Sequence, residues 1–474
     1  MRSTEPAAAD PPNSPAERIA ASLVLANRHE QEGRLDEAQS ILDGILAERP
    51  EEPAALHQLG VIAYRRGNLA EAAALMKRSI ALAPGSALFH RNICEVYRLL
   101  GRGDEALAAG HRAVVLDPND PHSHHSLGAV HYDRLELDEA VLSAERALAL
   151  DRTLAGGHFG IAEACLLRGD FARGWEEYEW RSRLAGVPPL LPPSDRPQWD
   201  GRPLGRGDTL LLIADQGYGD AIQFARYIPW AAARCPDIAM ACSAELRPVV
   251  AQLPGAGIIF DHWSRAPGFT AFCPLSSLPR LAGTSLATIP AATPYLRADE
   301  AKFAAWSRRL EALLPRGYRR VGIAWAGRPT HRNDLRRSTR LASFAPLAAI
   351  SELALVSLQK GPAQAEIGRY WGRAPLLNLG PELSDFGDTM AVVECLELVV
   401  TVDTSIAHLA AAMGKKVWIM LPFAPDWRWL LDRADSPWYP TARLFRQSAD
   451  RRWEAVMTAI AGELLKLCRT GGIG

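Results

Sequence analysis

Four ladders of residues recur at a step of 34 through the first third of the chain. Gly33, Gly67, Gly101 and Gly169 form one, with Leu135 on the remaining rung. Ala38, Ala72, Ala106 and Ala140 form the second, each preceded by glutamate. Pro50, Pro84 and Pro118 form the third, with Arg152 in the next slot, and Ala26, Gly60, Cys94, Gly128 and Ala162 the fourth. A fixed period of this length means one small unit copied in tandem. Each copy is too small to bury its apolar face alone, so neighbours must stack. The ladders therefore commit residues 17–185 to a stacked array of about five units, whatever the rest of the chain does.

The ladders resemble the tetratricopeptide repeat, in which two antiparallel helices cross at small residues and a proline follows the second. That resemblance implies a solenoid whose groove can take a protein partner. The fifth unit departs from the pattern, with Gly174, Trp175, Tyr178 and Trp180, as a cap or a joint to a following domain would. His90, His124 and His158 share one repeat position, with His122 and His125 nearby. A histidine stripe can bind metal or sense pH, but residues one repeat apart stand roughly 10 Å from each other, too far for one ion. Helix packing is the reading taken for them.

Outside the repeats the composition excludes several classes. Lys plus Arg is 53 against 54 acidic residues, so no electrostatic case exists for a nucleic-acid partner. The seven cysteines form no CxxC pair, which argues against a zinc site or disulfide framework and suits a cytoplasmic protein. No apolar run reaches the ~18–20 residues of a membrane span. Residues 1–16 are rich in Ala, Pro and Ser without an apolar core. They read as a disordered leader, not a signal peptide.

Residues 186–207 are Pro-rich and read as a semi-rigid linker. Beyond them strand and helix patterns alternate. Strands are expected at 208–214, 238–242, 257–260 and 270–275, then at 320–326, 354–358, 376–379, 398–402 and 417–421. Helices are expected at 221–234, 245–253, 300–314 and 453–468. Two doubly wound lobes result, 208–298 and 299–474, with a cleft between them as the natural substrate site.

Several strand ends carry polar chemistry. The segment Leu398–Pro422 reads as strand, turn, helix, strand, with Asp403, Thr404, Ser405 and His408 gathered where strand meets helix. Thr404 or Ser405 suits the helix N-cap, and ligands of open α/β sheets bind at strand carboxyl ends, phosphates especially at helix N-termini. Gln216, Gly217, Tyr218, Gly219 and Asp220 follow the first strand of the first lobe. The two glycines let backbone approach a ligand, and Asp220 is either a general base or a helix cap. The GxGxxG fingerprint is absent, since Ile222 takes the last position, so no nicotinamide site is expected. In the second lobe the loop Trp325–Ser338 carries Arg336, Arg337 and Ser338, which either clamp a diphosphate or form a solvated basic loop. Gln359 and Lys360 end the next strand, and Asp385 precedes a helix as a cap.

The run Asp403–Gly414 resembles the donor-binding motif of the ADP-heptose:lipopolysaccharide heptosyltransferases, and Gly217–Asp220 resembles that family's N-terminal loop. Repeats ahead of two lobes are also similar to the arrangement in O-linked N-acetylglucosamine transferases. The resemblance covers roughly residues 208–468. It implies an α plus α/β chain: a repeat solenoid, then a two-lobed Rossmann-like GT-B fold. It further implies an inverting, metal-independent glycosyltransferase with no cofactor, its nucleotide diphosphate sugar being substrate. Asp220 matches the general base. Asp403, Thr404, Ser405 and His408 match the donor contacts, with Gln359, Lys360, Arg336 and Ser338 beside them and Gly217, Tyr218 and Gly219 on the acceptor side. The acceptor would be a protein or glycan. The tail Asp426–Trp429 and Ser436–Pro440 departs from the heptosyltransferase pattern, and its Trp427 and Trp438 either stack on a sugar or pack. Two rival readings stand: a repeat scaffold whose α/β region lacks activity, and a sugar-nucleotide epimerase or hydrolase.

Overall fold

The computed structural model describes residues 14–184, 186, 191–314, 317–331 and 333–470. Most of the expected leader, and residues 187–190 of the linker, lie outside that range. The chain divides into two compact units, residues 1–164 and 165–474.

The first unit is built of helix pairs. The helices are α1 Pro15–Gln31, α2 Leu35–Glu48, α3 Pro53–Arg65, α4 Leu69–Leu82, α5 Ala87–Leu99, α6 Gly103–Leu116, α7 Pro121–Asp133 and α8 Leu137–Leu150. The next, α9 Ala155–Arg168, runs across the division, and α10 Phe171–Tyr178 lies in the second unit. The leader was expected through residue 16, but α1 opens at Pro15. Ser14 and Glu17 close a reciprocal capping box there.

Each ladder has a physical job. Gly33, Gly67, Gly101 and Gly169 adopt φ of 80°, 81°, 73° and 91° at the turn inside each pair, a region that glycine enters without steric cost. Leu135 holds the same turn at φ 62°. Gly60 and Gly128 sit where helices cross. A Cβ at Gly60 would stand 2.8 Å from Met76 Cγ, and one at Gly128 would stand 3.2 Å from the Ala140 carbonyl. The histidine stripe does more than pack. Nε2 of His90, His124 and His158 lies 3.1, 2.9 and 3.0 Å from the carbonyls of Pro84, Pro118 and Arg152. Each ring thus satisfies a carbonyl of the loop six residues earlier, on the proline ladder.

The second unit contains two parallel sheets. The first has strands β1 Thr209–Ile213, β2 Asp237–Ala241, β3 Ile258–Phe260 and β4 Ala271–Pro274 in the order β3-β2-β1-β4. The second has β5 Arg319–Ala324, β6 Leu353–Ser357, β7 Leu376–Asn378, β8 Leu398–Val402, β9 Val417–Leu421 and β10 Ala442–Arg446 in the order β10-β9-β8-β5-β6-β7. Its central strands are buried on both faces, and the closing helix Trp453–Thr470 puts Val456, Met457, Ile460 and Leu464 into the same core.

Three expectations change, the first being the helix expected over 245–253, which is a 3-10 turn Ala244–Leu246 and one helical turn Arg247–Val250. The strand β10 has no counterpart in the sequence reading, because Arg443 and Arg446 interrupt its short apolar run; it pairs in parallel with β9 at the sheet edge. The helix expected over 221–234 starts earlier and is broken. It is α11 Tyr218–Phe224, a 3-10 turn Ala225–Tyr227 and a short helix Ile228–Ala232. Pro229 can donate no backbone hydrogen bond, so it suits a fresh helical start better than a helix interior.

Strand order positions the site. In the second sheet the order reverses between β5 and β8, so their carboxyl ends flank a crevice. The loops Trp325–Ser338 and Asp403–Ser405 leave from those two ends. In the first sheet β1 and β4 are neighbours in the same sense, and β1 delivers Gln216–Asp220.

Candidate active site

At the end of β8, Thr404 is the N-cap of the helix Ser405–Ala412, but its side chain does not cap. The Thr404 hydroxyl instead lies 3.2 Å from that of Thr401. The helix therefore starts without a side-chain acceptor on its first N–H groups, and these carry the positive end of the dipole.

His408, one turn in, is buried. Its Nδ1 shares a 3.0 Å hydrogen bond with the Tyr439 hydroxyl, its Nε2 stands 3.9 Å from Asp403 Oδ1, and its ring stacks on Trp429. Burial, then the charge of Arg428, pushes its pKa down to about 3, so the imidazole is neutral. Burial and the neighbouring Asp426 carboxylate push Asp403 up.

The Gly217–Asp220 loop comes directly against this helix. A Cβ on Gly219 would stand 2.8 Å from His408 Cδ2 and 3.6 Å from Ser405 Cα. The expected close approach of glycine backbone to a ligand is thus, at Gly219, an approach to the His408 ring. Asp220 performs its capping role: Gly217 N donates to Asp220 Oδ2 at 3.0 Å. Its other oxygen is ion-paired with Arg428 Nη2. Burial raises the Asp220 pKa, and Arg428 works against that rise. Tyr218 sets its ring edge-on to Phe386 at 5.2 Å.

The remaining second-lobe residues divide. Gln359 is spent on backbone. Its Oε1 accepts from Trp325 N and Ala326 N at 2.9 Å each, and its Nε2 donates to the carbonyls of Ala326 and Lys360 at 2.9 and 2.8 Å. It therefore braces the ends of β5 and β6. Ser338 accepts from Gly327 N at 2.9 Å and donates to Asp334 Oδ1 at 2.8 Å, ordering its own loop. Lys360 is exposed, with Nζ on the Leu383 carbonyl. Arg336 is half-buried on the short helix Asp334–Arg337. The charge of its neighbour Arg337 acts on both Asp403 and His408, and a Cβ at Gly327 would meet its Nη2 at 2.6 Å. Asp385 caps its helix by accepting from Asp388 N at 2.9 Å, as expected, and also holds Lys302 at 3.0 Å.

The tryptophans of the tail pack. Trp427 and Trp438 are 2% and 0% exposed, and both lie edge-on to Trp175 of α10, at 5.2 and 6.5 Å. Neither offers a face to a sugar. The aromatic departure of the fifth repeat thus serves the second unit. Trp175 Nε1 donates to the Thr284 carbonyl at 3.0 Å, Tyr178 lies 3.1 Å from Gln216, and Arg181 reaches Asp215 at 3.2 Å. The loop bearing Asp220 is braced from α10 and the turn behind it.

Three groups at the site went unassigned in the sequence reading: Arg428, Asp426 and Arg226. Arg428 Nη1 holds Asp426 at 2.8 Å and its Nε meets Gln223. Despite burial, Asp426 is lowered by that arginine. Arg226 donates to the Trp438 carbonyl at 2.8 Å and lies over the Tyr439 ring at 4.5 Å. Arginines inside a tryptophan-rich tail were the available signal; nothing in sequence ties position 428 to position 220.

A tetratricopeptide repeat model matches residues 23–87, and the glycosyltransferase family 9 (heptosyltransferase) model matches residues 363–419. The chain carries a tetratricopeptide repeat and a glycosyltransferase family 9 segment. That segment includes Asp403–His408. Over 333 residues the chain is 27% identical to Protein FlbA of Caulobacter vibrioides (strain ATCC 19089 / CIP 103742 / CB 15), a match covering 65% of this chain and 54% of FlbA. The match thus spans about half the length of that curated relative. Solved structures similar to this chain include Pseudomonas aeruginosa pilF (19% identity, 36% of this chain and 78% of that one, TM-score 0.34). Another is a thermophilic TPR protein of Thermus thermophilus (25% identity, 35% and 91%, TM-score 0.32). No helix among the described residues is long and apolar enough to cross a membrane.

Proposed function

We propose that the chain is an inverting glycosyltransferase that takes a sugar from a nucleotide diphosphate donor without a metal ion. Its acceptor would be a protein or glycan recruited by the repeats. The observation that carries this reading is the family 9 match falling on the β8 turn, where an uncapped helix N-terminus sits beside neutral His408. Charge develops on the departing diphosphate as the sugar leaves. Fixed N–H groups and cations aimed there stabilise that charge without reorganising. The helix N-terminus, Arg337, Arg336 and Lys360 are the donors of this kind on the second lobe. Neutral His408 adds no charge of its own and orders the turn through Tyr439. Asp220, on the facing lobe, is the general base. Burial raises its pKa, which suits a base acting near neutral pH. The domain bounds proposed with this reading are repeats over 17–185, a linker over 186–207, an acceptor-side lobe over 208–298 and a donor-side lobe over 299–474.

Purified protein incubated with a panel of nucleotide sugars tests this. The reading expects nucleoside diphosphate release with at least one donor, increased by the true acceptor. Absence of both binding and release across the panel would favour the scaffold reading instead.

A further inference from the structure

The tail residue Arg428 is the cation of the site that pairs with two carboxylates, Asp220 and Asp426. Its side chain is 7% exposed, and its three nitrogens face Asp220, Asp426 and Gln223. A base held in a buried ion pair accepts a proton from a sugar or protein hydroxyl less readily, because protonation forfeits that pairing. In this arrangement the Asp220 carboxylate is restrained.

The segment that carries Arg428 is itself strained. Leu430 has φ 51° and ψ −167°, a backbone region that is essentially glycine's, and Asp432 has φ 50°. Its surroundings hold it there: Arg446 donates to the carbonyls of Trp429 and Arg433 at 2.7 and 3.0 Å. Around the same cluster, buried donors lack acceptors. Gln223 is 0% exposed and its Nε2 has no hydrogen-bond partner. Arg337 Nε makes no hydrogen bond either, with Asp334 Oδ1 3.5 Å away. Buried donors without acceptors beside buried cations suit an oxygen-rich anion.

We propose that Arg428 is a diphosphate-binding cation of this site and that the same guanidinium holds Asp220 until the donor arrives. The inference rests on the transferase reading above. Donor phosphate oxygens take the guanidinium and the surplus donors, and Asp220 is released. The freed carboxylate then accepts the acceptor's O–H proton as the acceptor oxygen bonds to the anomeric carbon. The bond from that carbon to the phosphate oxygen breaks, and its electron pair leaves with the nucleoside diphosphate. The arrangement keeps the base paired in the absence of donor.

Calorimetry on the full chain tests the exchange, with inorganic pyrophosphate, ADP, GDP and UDP as probes. Asp220→Asn removes the competing anion and should tighten binding of the best probe about tenfold. Arg428→Gln should weaken it roughly ten- to hundredfold, the worth of charge-assisted hydrogen bonds, and Arg428→Lys should recover part of the loss. A purely structural arginine would not give changes of opposite sign. If Arg428→Gln does not fold, Asp220→Asn alone decides, because it leaves Arg428 paired with Asp426. Unchanged or weaker binding by Asp220→Asn, with the wild type binding normally, overturns this inference and leaves the transferase reading standing. No binding of any probe by the wild type overturns both.

Discussion

At the scale of single residues, the site is a set of close approaches that only small side chains permit. Gly219 was legible as a glycine that lets backbone come near something. What it comes near is the His408 ring, and that distance lies in tertiary structure, not in the local pattern. Adding a methyl there is expected to force helix Ser405–Ala412 and α11 apart. Gly219→Ala should destabilise the protein by about 1–3 kcal/mol, seen as a lower midpoint in thermal or denaturant unfolding; an unchanged midpoint would show that the contact yields freely. Gln359 shows the opposite limit of sequence reading. Its position at a strand end is right for a ligand contact, yet all its hydrogen-bonding groups go to backbone. Residue type and position cannot tell those outcomes apart.

At the scale of elements, periodicity was the strongest guide. The repeat ladders and most parallel strands follow from spacing and β-branched runs, because those patterns record which face is buried. Where the structure departs, a specific residue overrides the pattern: Pro229 in the broken helix, Arg443 and Arg446 in β10. The histidine stripe was visible, but its hydrogen bonds to loop carbonyls were not. His124→Ala should cost about 1 kcal/mol for the lost bond to Pro118, more than the same change at less buried His90; equilibrium denaturation of the two single variants checks the ranking. A different histidine, His57, joins buried His408 in contributing to acid sensitivity. His57 stacks on Phe89 at 4.4 Å, and burial, with Arg91 adding, lowers its pKa to about 4. The unfolded state then binds the extra proton first, so this contribution falls as pH drops from about 6.5 towards 4, by about 3 kcal/mol at most. His57→Asn should flatten that part of the stability–pH curve, and an unaltered slope would remove His57 from the account.

At the scale of the whole molecule, each compact unit has its own internal logic, and the second holds both sheets and the candidate site. The tail after β9 supplies Arg428, and the second helix of the fifth repeat supplies Trp175 and Tyr178, all within that unit. The sequence marked both segments as departures from their patterns. Their meeting was invisible, since nothing local links residue 175 to 427 or 428 to 220.

The central claim is that Asp220 and the Asp403–His408 turn form one transferase site with divided roles. The direct test is Asp220→Asn, assayed for both donor binding and sugar transfer on the same preparation. The account predicts that donor binding is retained or tightened while transfer falls by about 100-fold or more, the usual share of a general base. Transfer at the wild-type rate with binding intact would contradict it.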